Sequence, residues 1–280
     1  MLLTECPRDA MQGLTRFIPT TDKIRYLNAL LQVGFDTLDF GSFVSPKAVP
    51  QMQDTSEVLA GLDMTTTQTK LLAIVANQRG AEQATGYEAI RYVGFPLSVS
   101  ETFQQRNTNK SIQEALVDVA AMQHLCQQAD KELVVYLSMG FGNPYGDPYS
   151  PALVLDFTTR LIDLGIRHII PSDTVGTATP AAIETLFDHL SDAFPLHSFG
   201  AHLHALPGEA PAKVRAAVQA GVKRIDGAIG GLGGCPMAAD SLTGNLPTED
   251  IIATLGTLGI PTGLDMAAFS SAVQLSREIL

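Results

Sequence analysis

Two histidines stand two residues apart at the end of an apolar run, in Ala201-His202-Leu203-His204. Successive side chains of a β-strand point to opposite faces, so residues two apart point the same way. A strand here would therefore direct both imidazoles towards one point, as a metal site requires. The spacing is short and also arises by chance, so structural roles for the two histidines stay open at this stage.

Other polar residues could complete such a site. Asp9 is a candidate metal ligand and Arg8 a candidate partner of an anion or oxyanion, with a surface ion pair as the alternative. Asn245 offers a neutral oxygen ligand, although turn formation is the commoner role of asparagine. With His202 and His204, these residues give a mixed nitrogen and oxygen set. That set suits Mg²⁺ or Mn²⁺, and Zn²⁺ is the second choice.

A glycine-rich segment precedes Asn245, in Gly230-Gly231-Leu232-Gly233-Gly234-Cys235-Pro236. Glycine lets a backbone approach a ligand closely, so Gly233 and Gly234 are candidate substrate contacts. Cys235 would lie in a loop over the metal site, as a candidate proton donor or acceptor. The alternative for Cys235 is an inert small residue in a turn.

Four further residues near predicted strand ends are candidates for the same site. Asp39 could be a hydrogen-bonding carboxylate with a catalytic role, or a cap of the next element. Asp173 could contact substrate, order a metal ligand or its loop, or cap the following helix. Gln12 and Ser42 are candidate substrate contacts.

The elements that would position these residues alternate between β-rich runs and helical stretches. We predict eight strands, at Leu2–Cys6, Thr37–Phe40, Leu71–Ala76, Ile90–Gly94, Leu133–Ser138, His168–Pro171, Ser198–His202 and Arg224–Ala228. Helices are predicted at Asp22–Val33, Ile112–Ala129, Ala152–Leu164, Pro180–Phe194, Pro211–Ala220, Thr248–Leu258 and Met266–Ile279.

This alternation predicts a parallel sheet, and eight units favour closure into a (β/α)₈ TIM barrel. The alternative, an open doubly wound sheet, usually has a glycine-rich phosphate turn after its first strand, and residues 6–10 are no such turn. We expect one catalytic domain over residues 1–280, with a C-terminal helical extension from about residue 248. Catalytic residues of barrels follow the C-terminal ends of strands, where these candidates stand.

Composition excludes several classes of function. The net charge is -11 and there is no cluster of Lys and Arg, which argues against nucleic acid and anionic membranes as partners. The three cysteines form no disulfide framework, which indicates a reducing environment. With neither a signal-peptide pattern nor a membrane-spanning run, we expect a cytoplasmic protein.

Several blocks of the chain resemble the 3-hydroxy-3-methylglutaryl-CoA lyase family, a family of metal-dependent barrel enzymes. The resemblance runs from about Thr4 to about Gly263. It is carried by Pro7-Arg8-Asp9-x-x-Gln12, Ser42-Phe43-Val44-Ser45-Pro46-Lys47-x-Val49-Pro50-Gln51-Met52, Ser172-Asp173-Thr174-x-Gly176, His202-x-His204, Gly231-Leu232-Gly233-Gly234-Cys235-Pro236 and Gly244-Asn245-Leu246-x-Thr248-Glu249-Asp250.

The resemblance implies a barrel whose divalent metal is held by Asp9, His202, His204 and Asn245. It also implies that Arg8 stabilises a developing enolate and that Cys235 transfers a proton. The reaction would be retro-Claisen cleavage of 3-hydroxy-3-methylglutaryl-CoA to acetyl-CoA and acetoacetate, with Asp9 or His202 as base.

An acyl-CoA would then be the partner, and a homodimer is the family expectation. Basic residues would have to contact the CoA phosphates, for which Lys47, Arg106 and Lys110 are the candidates.

Three departures from the family pattern leave the acyl group open. Ala205 stands where the family has Asp, Asp39 where it has Glu, and Ala10 where it has Gly. One alternative is therefore a lyase or Claisen-type synthase of the same superfamily with another acyl substrate. In that case Asp39, Phe43 and the loop after His204 would select the substituent on C3. The other alternative is a catalytically weakened barrel that acts as a binding component.

Overall fold

A computed structural model of the chain describes residues 1–234 and 243–280. Eight parallel strands pair in chain order, and pairing of the first with the eighth closes them into a barrel. The strands are β1 (Leu2–Glu5), β2 (Thr37–Ser42), β3 (Lys70–Ile74), β4 (Ile90–Ser98), β5 (Glu132–Ser138), β6 (His168–Asp173), β7 (Gly200–Ala205) and β8 (Arg224–Gly227). The predicted (β/α)₈ barrel is confirmed.

Helices surround the barrel. They are α1 (Pro7–Gln12), α2 (Thr20–Leu31), α3 (Thr55–Ala60), α4 (Gln78–Thr85), α5 (Glu101–Thr108), α6 (Ile112–Gln128), α7 (Pro151–Asp163), α8 (Pro180–Ala193), α9 (Ala210–Gln219), α10 (Thr248–Thr257) and α11 (Met266–Ile279). The short helices α1, α3, α4 and α5 were not predicted, because each has too few turns to show a hydrophobic period. No helix of the described residues is both long and apolar enough to span a bilayer.

Strand β7 runs further than its sequence indicated. The prediction Ser198–His202 was wrong at both ends, because β7 begins at Gly200 and continues to Ala205. A two-residue antiparallel strand, β9 (Gly244–Asn245), pairs with this extension and sets His204 opposite Asn245. The pairing extends β7 beyond His202, so both histidines lie within one strand and on one face.

Apolar side chains fill the barrel below the histidines. Leu72, Tyr92, Val134 and Ile170 form an interior cluster separate from the larger core between strands and helices. Gly94 of β4 leaves room for this cluster, because a Cβ there would lie 2.5 Å from Ile74 Cδ1 and 3.4 Å from a ring carbon of Tyr136. The packed interior confines solvent to the two mouths of the barrel.

The two C-terminal helices complete the outer layer. Helix α10 lies against α9, and α11 packs on α2 with the ring of Phe269 edge-on to Phe35, at 6.4 Å between centroids. The Asp265 side chain caps α11 by accepting hydrogen bonds from the backbone N–H groups of Ala267 and Ala268.

Glu5, at the end of β1, is a fully buried carboxyl. Its Oε1 accepts a hydrogen bond from the Ile229 N–H at 2.8 Å, and its Oε2 lies 2.6 Å from the Thr248 hydroxyl. Burial raises the pKa of Glu5 to about 8, and these two hydrogen bonds oppose the rise only in part. The carboxyl therefore links β1 to the segment after β8 and to the start of α10.

The raised pKa of Glu5 predicts a pH-dependent stability. The folded chain retains a proton that the unfolded chain releases near its ordinary pKa of 4.5, so stability falls as pH rises from there towards about 8. The slope within this window reaches about 1.4 kcal/mol per pH unit. Glu5→Gln, which is neutral throughout, should flatten the pH dependence measured by urea unfolding. Exposed Glu82→Gln is the control, and equal slopes in wild type and Glu5→Gln would contradict the assignment.

Candidate active site

Three candidate metal ligands converge at the C-terminal mouth of the barrel. Asp9 lies in α1 directly after β1, and His202 and His204 lie on β7. One ligand atom from each of the three lies within 4.8 Å of the others. Asn245 on β9 donates a hydrogen bond from Nδ2 to Asp9 Oδ2 at 2.6 Å. The structure therefore brings together all four residues predicted from the sequence.

Two buried acceptor atoms in this cluster have no hydrogen-bond partner among the described residues: His204 Nε2 and Asn245 Oδ1. His204 Nδ1 lies 3.0 Å from the Thr174 carbonyl oxygen, which can only accept, so Nδ1 carries the proton and Nε2 a free lone pair. Burial, followed by the nearby His202, lowers the pKa of His204 to about 4. A neutral imidazole and an amide oxygen left unpaired in a buried site fit a divalent cation.

A carboxylate behind His202 fixes its orientation. His202 Nδ1 lies 3.4 Å from Asp226 Oδ2, and Arg224 donates from Nε to Asp226 Oδ1 at 3.2 Å. Burial lowers the pKa of His202, but Asp226 and Asp9 outweigh it and leave this pKa above its ordinary value. A carboxylate on the far nitrogen of a histidine ligand is a common feature of metal sites.

Asp226→Asn is therefore expected to weaken metal binding by about 10–100-fold, the usual cost of losing such a partner. Asparagine keeps the shape but removes the negative charge that holds the His202 ring. Mn²⁺ titration followed by electron paramagnetic resonance measures the affinity, with circular dichroism as a check on folding. An unchanged Mn²⁺ affinity in a folded variant would show that Asp226 does not support the site.

Arg8 is held rigidly beside the cluster. Its Nε and Nη2 donate to the Asp39 carboxylate, with Nη2 to Oδ2 at 2.6 Å, and its Nη1 donates to Gln12 Oε1 at 2.8 Å and Asp9 Oδ1 at 3.0 Å. Gln12 in turn donates to Asp9 at 2.6 Å. The guanidinium thus has a fixed position between two carboxylates.

The two carboxylates differ in their proton affinity. Burial raises the pKa of Asp9, but Arg8 and the two histidines outweigh it and hold this pKa at about 2. For Asp39 burial dominates and raises the pKa to about 6, although Arg8 opposes the rise. Asp9 is therefore a ready anionic ligand, whereas Asp39 orients Arg8.

A cavity opens directly above these groups. Its wall includes Arg8, Asp9, Asp39, His202 and His204 at the inner end. Towards solvent it runs between the segment at 42–49, which contributes Ser42, and the helix α5. This shape suits an acyl group at the metal end with a longer chain that leaves through the mouth.

The start of the glycine-rich segment lies against the ligand cluster. Gly233 has φ +93°, and a Cβ there would lie 2.7 Å from both Asn245 Nδ2 and the Asp9 carbonyl oxygen. Any side chain at this position would displace the Asp9–Asn245 pair. Gly234 is the last described residue before the gap, and Cys235 lies outside the described residues.

A second group of potential ligands shares His202 with the first. Cys6, His202 and Asp226 also bring one atom each within 4.8 Å of the others. Burial, and then the surrounding carboxylates, raise the pKa of the Cys6 thiol well above its ordinary value. Because a thiol binds metal as its thiolate, this group is the poorer metal site.

The chain matches one family of known proteins over nearly its whole length. The HMGL-like family model matches residues 2–275. The chain is 36% identical over 272 residues to hydroxymethylglutaryl-CoA lyase of Bacillus subtilis, covering 97% of this chain and 90% of that protein. It is 35% identical over 260 residues to the mitochondrial hydroxymethylglutaryl-CoA lyase of mouse, covering 93% and 79%. The chain belongs to the HMGL-like family.

Solved structures of HMG-CoA lyases agree with this assignment. The B. subtilis enzyme superposes with a TM-score of 0.92 at 34% identity, covering 99% of this chain and 92% of that one. The Acinetobacter baumannii enzyme, in complex with coenzyme A and 3-methylmalate, gives 0.90 at 31% identity, covering 99% and 89%. These relatives confirm the predicted family and the predicted class of enzyme, a carbon–carbon lyase.

Asp173 takes a structural position in this HMGL-like barrel. Its carboxylate accepts hydrogen bonds from the backbone N–H groups of Thr177 and Ala178 and from Lys213 Nζ. Lys213 Nζ also donates to the His204 carbonyl oxygen at 2.7 Å. Asp173 is not part of the cavity wall, so the geometry favours a role in ordering β7 over the predicted contact with substrate.

Three residues of the site were missed from the sequence. Side chains on β8 point alternately to its two faces, and this alternation could have placed Asp226 on the inner face of the barrel. Lys213 gives no such signal, because a single lysine on a helix normally faces solvent. Tyr136 lines the cavity with its ring edge-on to His202, at 5.7 Å between centroids, and resembles an ordinary core residue in sequence.

Proposed function

We propose that this chain is a divalent-metal-dependent lyase that cleaves 3-hydroxy-3-methylglutaryl-CoA to acetyl-CoA and acetoacetate. The unpaired lone pairs of His204 Nε2 and Asn245 Oδ1, buried beside Asp9 and His202, carry the proposal. They lie at the C-terminal end of the strands, where barrel enzymes have their active sites. The relatives that share this fold are named for the same reaction.

Asp9, His202, His204 and Asn245 would hold the metal ion. Two imidazoles, a carboxylate and an amide oxygen suit Mn²⁺ or Mg²⁺, and Zn²⁺ is the second choice. A bound divalent ion would supply Lewis-acid chemistry that lowers the pKa of the substrate hydroxyl.

The protein groups then perform a retro-Claisen cleavage. A carboxylate oxygen of Asp9 removes the proton of the C3 hydroxyl, the C3–O bond becomes a carbonyl, and the C2–C3 bond breaks. His202 is the less suitable base, because Asp226 engages its Nδ1 and its other nitrogen would bind the metal. The electron pair of that bond passes to C2 and gives the enolate of acetyl-CoA. Arg8, held in place by Asp39 and Gln12, stabilises the negative charge on the thioester oxygen. A proton delivered to C2 completes acetyl-CoA, and Cys235 is its proposed donor.

Ala205 does not contribute to the cavity in which the acyl group would lie. Its side chain points to the opposite face of β7 from His204, and the residue is not in the cavity wall. The departure from the family Asp at this position therefore does not reshape the space for the acyl group. Ser42, Asp39 and the bound metal would select that group instead.

The CoA chain would leave between residues 42–49 and α5. Lys110 forms an ion pair with Asp118, and the Arg106 guanidinium lies over the Tyr145 ring at 4.6 Å. Lys47 is exposed at this mouth and has no ion-pair partner among the described residues. Of the three predicted cations, Lys47 is thus the most available to the CoA phosphates.

A substrate panel tests the proposed function. Purified protein with Mn²⁺ or Mg²⁺ should release acetyl-CoA and acetoacetate in equal amounts from 3-hydroxy-3-methylglutaryl-CoA, and chelation should stop the reaction. Cleavage only of an analogue with a longer C3 branch would support the alternative acyl specificity. Full activity after complete metal removal would contradict the mechanism.

A further inference from the structure

A second pocket lies at the opposite, N-terminal mouth of the barrel. It has a volume of about 400 Å³ and is lined by the starts of β6, β7 and β8 and by the segments that precede them. Gly200, the first residue of β7, keeps it open, because a Cβ there would lie 3.3 Å from Ile170 Cγ1 and 3.4 Å from Arg224 Cβ. We call it the N-terminal pocket.

Cationic side chains outnumber carboxylates in the wall of this pocket, although the chain as a whole carries a net charge of -11. Arg167, Lys223 and Arg224 supply three cations, and His168 and His197 add two imidazoles. Arg167 and Lys223 are exposed, and neither side chain has a hydrogen-bond or ion-pair partner in residues 1–234 and 243–280. An anion that enters the pocket would meet two free positive charges.

The acidic groups near the pocket are already paired. Asp36 accepts a hydrogen bond from the Thr37 hydroxyl at 2.9 Å and forms an ion pair with Lys70 at 3.4 Å. Glu132 binds Arg91 at 2.5 Å and His168 at 2.6 Å. The cations of the pocket are therefore not neutralised by these carboxylates.

Arg224 adds a buried donor to the pocket. It is 6% exposed, and its Nε donates to Thr4 and Asp226, whereas the buried Nη2 has no acceptor among the described residues. An unpaired buried donor on a charged group is costly, although the Asp226 carboxylate offsets the charge of Arg224. The pocket thus has two free cations at its rim and, in its wall, a guanidinium of which one nitrogen has no acceptor among the described residues.

We propose that the N-terminal pocket binds a phosphate group. The two free cations, Arg167 and Lys223, match a dianion better than a monoanion, and guanidinium pairs well with phosphate oxygens. The pocket is separated from the candidate active site by the filled interior of the barrel. This site is therefore distinct from any contact with the phosphates of CoA at the other mouth.

The test is a titration of the full-length chain with inorganic phosphate, followed by the NMR shifts of the Gly200 and Lys223 amides. We expect saturable shifts at these amides and about tenfold weaker binding in Arg167→Gln/Lys223→Gln, which corresponds to roughly 1.4 kcal/mol. Arg224 is left unchanged because it also contacts Asp226. Arg215→Gln/Arg277→Gln, an equal change in net charge at exposed positions outside both pockets, should bind as wild type does.

Two further titrations use glycerol 3-phosphate and acetate. If glycerol 3-phosphate binds more tightly than inorganic phosphate, the site is supported and its ligand is a phosphorylated organic molecule. If inorganic phosphate binds more tightly, the site is supported and its ligand is free phosphate. No shift at Gly200 and Lys223, an unchanged affinity in the pocket double variant, or tighter binding of acetate than of phosphate would overturn the proposal.

Discussion

His204→Ala is expected to remove metal binding and lyase activity together while the barrel stays folded. The imidazole presents a buried Nε2 lone pair to the ligand cluster, and its Nδ1 hydrogen bond to the Thr174 carbonyl oxygen fixes that orientation. Alanine supplies no ligand atom, and His202, on the same strand, is already a member of the ligand cluster. The metal affinity should fall by more than about 100-fold. Loss of a residue that only hydrogen-bonds to a ligand already costs up to about 100-fold, and loss of the ligand itself should cost more.

His197→Ala is the matched control for this variant. His197 is also a histidine, but it lines the N-terminal pocket rather than the candidate active site. Mn²⁺ affinity by electron paramagnetic resonance and cleavage of 3-hydroxy-3-methylglutaryl-CoA should be unchanged in His197→Ala. If His204→Ala bound Mn²⁺ with the affinity of wild type, His204 would not be a ligand and the proposed site would be wrong.

Arg8→Lys should lower kcat strongly and leave metal binding nearly intact. Lysine retains the charge but cannot reproduce the planar fork that contacts Asp39, Gln12 and Asp9 simultaneously. The charge on the enolate oxygen would lose a preorganised donor, and loss of one such donor typically costs about 10²–10³ in kcat. KM should change far less than kcat, because the donor acts mainly on the transition state.

Arg16→Lys controls for a general effect of exchanging arginine for lysine. Arg16 lies outside the cavity wall and donates to the Ile279 carbonyl oxygen. Thermal unfolding of both variants separates lost catalysis from lost stability. A kcat close to wild type in Arg8→Lys would mean that a point charge is sufficient and that the fork has no catalytic role.

The ligand cluster could be predicted from sequence because each of its parts has a local signal. The spacing of His202 and His204 needs only a strand, and Asp9 directly follows another strand. The residues that support the ligands gave no comparable signal. Lys213 reaches the His204 carbonyl oxygen from α9, and the pairing of β7 with β9 depends on a segment forty residues away in the chain. Such long-range contacts have no local pattern.

The roles of individual residues were harder to predict than their positions. Asp39 and Asp173 are both buried carboxylates on barrel strands, and each was predicted to lie at a strand end. The structure separates them: Asp39 binds Arg8 in the cavity, and Asp173 binds Lys213 outside it. A residue's charge and burial can be inferred from its type and strand, but its partner depends on packing between elements.

The central claim is that Asp9, His202, His204 and Asn245 hold the metal ion on which cleavage depends. A crystal of the protein grown with Mn²⁺ and measured at the manganese absorption edge tests this most directly. We expect one anomalous peak within bonding distance of His202, His204, Asp9 and Asn245 Oδ1. A peak at any other group of residues, with this cluster empty in an active enzyme, would contradict it.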